Sequence, residues 1–227
     1  MKLLALVSFF CISFSFGLHA KYDWKKNGWD KLGEEDKITF YRKSFKNSNV
    51  QGVAGAALIS STPGKIIDVL MDHEHKSDWV DKFHSSRTLA TPSMLTSVQY
   101  AAFSMPFPVS DRDFVYQYKF YYKQKQKMIL VDVSEAKHAD APPSKTVGVR
   151  GKIIMGKYRL YPRNKGKETY VEVEYLADPK GWLPTWVVNI VQKTWPLKTL
   201  KGLRKQVTKP FVKEHPIMKQ GFKISGF

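Results

Sequence analysis

Asp178-Pro179-Lys180-Gly181-Trp182-Leu183-Pro184-Thr185-Trp186-Val187-Val188-Asn189 is the stretch on which the fold turns. Before it, residues 169–177 read as a strand. After it, residues 184–209 read as the longest helix of the chain. In that helix Trp186, Val187, Ile190, Val191 and Thr194 recur at helical spacing, and Leu197, Leu200, Leu203 and Val207 continue the apolar positions. Lys193, Lys198, Lys201, Arg204, Lys205 and Lys209 supply a basic face, and Pro196 and Gly202 are its candidate bends.

Working outward, strands are expected at 85–90, 95–105, 114–122, 128–134 and 147–161, with loops at Pro142-Pro143 and at Asn164-Lys165-Gly166-Lys167. Two more, at 36–45 and 50–60, flank the turn Asn47-Ser48-Asn49. The second is rich in Gly52, Ala54, Gly55, Ala56 and Ala57, which suits strong bending or the close approach of another element. Thr62 is an N-cap candidate with Pro63 at the first helical position, and Ile66, Ile67, Leu70 and Met71 form one apolar stripe. Residues 22–32 are expected to form a short amphipathic helix carrying Trp24 and Trp29. Short turns between strands favour an antiparallel sheet. An open concave face needs an apolar cover, and only the C-terminal helix is large enough. The class is therefore α+β.

The strand at 114–122 alternates Phe114, Tyr116, Tyr118, Phe120 and Tyr122 on one face. Such rings either fill a core or line a cavity, and periodicity does not choose between them. Glu172 and Glu174 alternate with Val171, Val173 and Tyr175; with the latter three inward, the glutamates are expected to be exposed. Arg112 and Asp113 are expected to pin the start of the aromatic strand to a loop as a structural pair.

The chain has 227 residues, with 37 Lys plus Arg against 20 Asp plus Glu and a formal charge of +17. Residues 1–20 read as a signal peptide: Lys2, then an apolar run too short to span a membrane, then Ala20 before Lys21. Its removal takes away Cys11, the one cysteine, and leaves no disulfide or thiol chemistry. The expected location is the periplasm or the extracellular space. The basic excess points to an anionic membrane surface as partner, whereas export speaks against nucleic acid, which charge alone would suggest. No Gly-rich phosphate loop and no Gly-x-Ser-x-Gly elbow is present. His73-Glu74-His75, with Asp72 and His84 nearby, lacks the i, i+4 spacing of a helical metal pair, so no metal and no cofactor is expected.

Three places resemble the StAR-related lipid-transfer, or START, domain family. They are Asp78-Trp79-Val80-Asp81, the run Pro106-Phe107-Pro108-Val109-Ser110-Asp111-Arg112-Asp113-Phe114-Val115, and the opening stretch continued by Lys198-Thr199-Leu200-Lys201-Gly202-Leu203-Arg204. The resemblance covers roughly residues 22–209. It implies a helix-grip fold, a curved antiparallel sheet wrapped around the long C-terminal helix and enclosing a hydrophobic cavity. It divides the chain into a signal peptide (1–20), a lipid-binding domain (21–209) and a C-terminal extension (210–227). It implies a monomeric carrier of a sterol, phospholipid or fatty-acid-like lipid, generally not an enzyme, with no catalytic residue assigned. By strand parity it places Phe114, Tyr116, Tyr118 and Phe120 on the ligand, joined by Gln99 and, from the helix, Trp186 and Ile190. Residues 181–184 and 105–108 are candidate entry loops. The alternative is an enzyme on the same scaffold acting on a hydrophobic substrate, in which Gln99, Tyr116 and Tyr118 would carry turnover.

Overall fold

The computed structural model describes residues 22–222 except Asn47 and Asn49; for Thr185 and residues 188–193 it describes backbone alone. The expected signal peptide, the outer residues of the expected Asn47-Ser48-Asn49 turn, and Ile224 and Phe227 of the extension lie outside the described residues.

The elements are β1 (Asp30–Glu35), β2 (Ile38–Lys43), β3 (Gly52–Ile59), α1 (Pro63–Met71), β4 (Phe83–Ser93), β5 (Thr96–Phe103), β6 (Arg112–Lys123), β7 (Met128–Glu135), β8 (Val149–Arg150), β9 (Lys152–Arg163), β10 (Glu168–Asp178) and α2 (Thr185–Gln206). Nine strands form one sheet in the order β1-β2-β3-β10-β9-β7-β6-β5-β4, and β8 runs parallel beside the start of β6. All other pairings are antiparallel. β1 and β4 are free edges, so the sheet does not close. α1 starts as expected: the Thr62 hydroxyl accepts from Lys65 N at 3.2 Å, and Pro63 fills the first turn, where no N–H is needed.

The small residues of β3 let α2 come close. A Cβ at Gly55 would lie 2.9 Å from Leu200 Cδ1 and 3.0 Å from Pro196 Cβ. On its far side α2 presses on the loop after α1, where a Cβ at Gly202 would meet the Trp79 carbonyl at 2.5 Å. Between the sheet and α2 lies the main core, built from inward residues of every long strand but β4, from Ile66, Ile67 and Leu70 of α1, from Leu200 and Leu203 of α2, and from Val207 just after it. Each such side chain contributes about 1.5–3 kcal/mol by leaving water.

The helix expected at 22–32 is absent. Residues 24–28 form a turn and β1 begins at Asp30. Gly28, at φ 76, takes a left-handed backbone that ends any helix there. Trp24 stacks on Tyr41 of β2 at 4.7 Å and meets Trp29 edge-on at 5.4 Å, so both indoles cover the convex side of the sheet.

That cover also corrects the reading of the glutamates. Val171 and Val173 do face inward, yet Glu172 and Glu174 are buried on the convex face. Arg159 donates to Glu174 Oε1 at 2.6 Å and lies 4.1 Å from the Tyr22 ring, while Tyr22 N donates to Glu172 Oε1 at 3.1 Å. Burial raises the Glu172 carboxyl to about 7, against the pull of Arg159. The extension after α2 docks on the body: Val212, Ile217 and Met218 are buried, Lys213 N donates to Asp68 of α1 at 2.9 Å, and Phe222 packs 6.3 Å from Tyr122.

Candidate functional site

Direct cross-strand partners in an antiparallel pair point to the same side of the sheet. Tyr116, Tyr118 and Phe120 of β6 face the interior, and Phe114 is half-buried against Phe103 on the same side. Gln99 is the register partner of Tyr116 and shares that face. It is fully buried and donates through Nε2 to Ser97 Oγ at 2.9 Å. Its Oε1 finds no donor among the described residues. An unmet buried acceptor costs about 1–3 kcal/mol, which a donor brought from outside would recover.

β9 and β10 bring two further tyrosines to this interior. The Tyr175 ring lies over Gly156 of β9, where a Cβ would come within 2.6 Å of it. Tyr158 meets Tyr175 edge-on at 5.9 Å, and Trp195 of α2 meets it at 4.9 Å. The Tyr118 ring meets that of Tyr116 edge-on at 5.3 Å, so Tyr116, Tyr118, Tyr158 and Tyr175 all belong to the same interior cluster. The result is a group of four inward tyrosines drawn from β6, β9 and β10. Burial pushes the Tyr118 phenol up to about 12 and raises the other three as well. All four are protonated at neutral pH, so each can donate and accept. Tyr158 and Trp195 were not singled out in the sequence. The signal for Tyr158 was its parity with Leu160; Trp195 follows Thr194, the last position of the stripe read there.

Trp186 is 47% exposed in the first turn of α2, outside the ring-lined interior. The side chain of Ile190 lies outside the described residues. Near Trp186 the chain exposes Phe107 at 94% and Trp182 at 71%, on the two expected entry loops. Arg112 ties those loops together. Its guanidinium donates to the carbonyls of Pro179 (2.7 Å), Lys180 (3.0 Å) and Trp182 (3.3 Å) on one loop and of Ser110 on the other. Arg112 thus has the structural role expected, but not with Asp113. The Asp113 carboxylate instead receives the fork of Arg150, at 2.8 and 2.9 Å.

Much of the basic face of α2 is engaged within the chain. Lys198 pairs with Asp81 at 2.9 Å, Lys201 with Glu35 and Asp36 at 2.6 Å each, and Arg204 donates to the Asp36 carbonyl at 2.9 Å. His73 spans Ser86 and Thr88 at 2.7 and 2.9 Å, and His75 stacks 3.8 Å from Phe211, so the histidine run serves packing.

The sequence model of the START domain matches residues 17–210. A phosphatidylcholine transfer protein from Bos taurus is 27% identical over 78% of this chain and 83% of its own. A protein of unassigned function from Pseudomonas aeruginosa, PA1579, is 25% identical over 80% of this chain and 87% of its own. The crystal structure of a STAR-related lipid transfer protein fragment from Xanthomonas axonopodis superposes with a TM-score of 0.68, at 25% identity, over 80% of this chain and 99% of that one. Human STARD10 superposes with a TM-score of 0.69 at 22% identity, over 86% of this chain and 77% of that one, a likeness of fold.

Proposed function

The chain belongs to the START domain family, and from that premise we propose that it binds one lipid between the sheet and α2 and carries it between membranes. The observation that carries this reading is the interior itself: inward aromatic rings, four tyrosines held neutral by burial and one buried amide oxygen without a partner among the described residues. Such walls suit acyl or ring carbons, and the hydroxyls with Gln99 suit an uncharged polar end. The similar phosphatidylcholine transfer proteins support a phospholipid among the candidate cargoes. Phe107, Trp182 and Trp186 would sit in the interfacial zone of a bilayer while cargo passes beneath the loops that Arg112 ties. The protein acts as an exported carrier, and the apolar leader-like segment at 1–20, opened by Lys2, supports that location.

The test is transfer of fluorescent lipids from donor to acceptor vesicles by the protein lacking residues 1–20. Transfer accelerated in proportion to protein concentration, with the lipid recovered unchanged, is the expected result. Conversion of the lipid would favour the enzyme on this scaffold, and no acceleration for sterols, phospholipids or fatty acids would overturn the carrier.

A further inference from the structure

The end of the sheet opposite Phe107 and Trp182 is basic. Register fixes its make-up: Lys123 pairs with Met128 across the β6–β7 turn, Ile129 with Leu160, and Arg163 with Glu168 across the β9–β10 turn. The two turns therefore sit side by side on one rim, carrying Lys123, Lys125, Lys127, Arg163, Lys165 and Lys167. Lys125, Lys127, Lys165 and Lys167 are exposed, while Lys123 leans on the Tyr121 ring at 4.9 Å and Arg163 on Tyr161 at 5.6 Å. None of the six is in an ion pair among the described residues; Glu168 is the acid on these turns. The β1–β2 turn adds Lys37 at the same end, and its Glu35 and Asp36 are already taken by Lys201.

Turn chemistry does not explain these lysines. Lys37 (φ 59), Lys127 (φ 46) and Lys165 (φ 53) occupy left-handed corners that glycine or asparagine fills with less strain. Lys82, Lys145 and Lys180 hold such corners elsewhere in the chain, so it is the clustering of unpaired charge on one rim that points to a partner. The lysines are point charges on flexible stems, suited to a diffuse layer of headgroups rather than to the forked contacts that read nucleic acid. Exposed Tyr121 and Met94 beside them offer interfacial contact. β10 runs from this rim toward the aromatic end, a span of about 35 Å at strand rise. That is several Debye lengths at physiological salt, about 8 Å each, so the ends act independently.

We infer that the β6–β7 and β9–β10 rim is a second membrane-docking surface, which holds an anionic phospholipid bilayer electrostatically while the aromatic end meets another. The purpose rests on lipid carriage; the charge geometry does not. The test is co-sedimentation with phosphatidylcholine vesicles with and without phosphatidylglycerol, at low and high salt, alongside vesicle clustering by light scattering. Binding that requires phosphatidylglycerol and is lost at high salt is expected. Lys125→Gln, Lys127→Gln and Lys167→Gln combined should weaken it roughly 100-fold, about fivefold per lysine, with an unchanged circular dichroism spectrum. Phe107→Ala with Trp182→Ala should keep this salt-sensitive binding but abolish clustering. A triple variant that binds like the parent chain would overturn the inference. So would heparin or duplex DNA held by the same lysines more tightly than the vesicles. Vesicle docking needs no cargo, so a chain that docks on these lysines yet transfers no lipid would sink the carrier and leave the rim.

Discussion

β9 and β10 bury polar groups on both of their faces, in opposite ways. Tyr158 and Tyr175 point inward and bring neutral hydroxyls; their neighbours Arg159 and Glu174 point outward and bring charges joined at 2.6 Å. The convex charges are covered by Tyr22 and Trp24, and Arg159 and Glu174 are paired with each other. The interior groups can be desolvated without an opposite charge and still exchange partners. Buried charge suits a fixed seal, and buried hydroxyls suit a site whose occupant comes and goes.

The largest effect should come from breaking the seal. Arg159→Ala leaves Glu174 buried with only Lys157, at 3.8 Å, for company. It should lower unfolding free energy by about 3 kcal/mol in a urea titration, while the folded fraction still takes up lipid. Leu200→Ala, in the close contact of α2 with Gly55, should cost about 2–4 kcal/mol. If the interior holds cargo, it should also loosen lipid retention, which the Arg159 change should not.

A sharper contrast comes from pH. Glu172 is raised to about 7 in the folded chain, chiefly by burial, above an ordinary carboxyl of about 4.3 in the unfolded one. Between those values the folded state holds the extra proton, so this group makes stability fall as pH rises from about 4 to about 7, then level off. Glu172→Gln keeps an acceptor for Tyr22 N and should remove that slope, gaining about 2–3 kcal/mol at pH 8. Thermal unfolding across that pH range reads it; a slope unchanged in the variant would contradict the buried carboxyl.

The smallest stability effect belongs to the interior. Tyr118→Phe should change stability by about 1 kcal/mol and weaken lipid binding by roughly five- to tenfold, measured by ligand titration. Equal loss of both would make the inward tyrosines a core feature.

Period-2 alternation and the Asp-Pro-x-Gly entry to α2 made most strands, the antiparallel sheet and the covering helix legible in the sequence. The inward rings of β6 were readable by parity. The convex acids were not, because alternation says which residues share a face and not whether another segment covers it. Trp24 and Trp29 looked like a helix stripe, yet their partners, Tyr41 and Phe45, come from β2 and the residues after it. The basic face of α2 was visible, but its pairing with Glu35, Asp36 and Asp81 depends on how the helix lies on β2 and the loop after α1. Tyr175 lays its ring over β9 only because Gly156 leaves room for it, a fact of two neighbouring strands at once.

Native mass spectrometry of the purified protein lacking residues 1–20 tests the central claim most directly. The account predicts one lipid per chain, lost on unfolding and regained from vesicles after refolding, with occupancy reduced by Tyr118→Phe and Gln99→Leu and kept by Glu172→Gln. A bare protein mass that gains nothing from vesicles of any lipid class would contradict it.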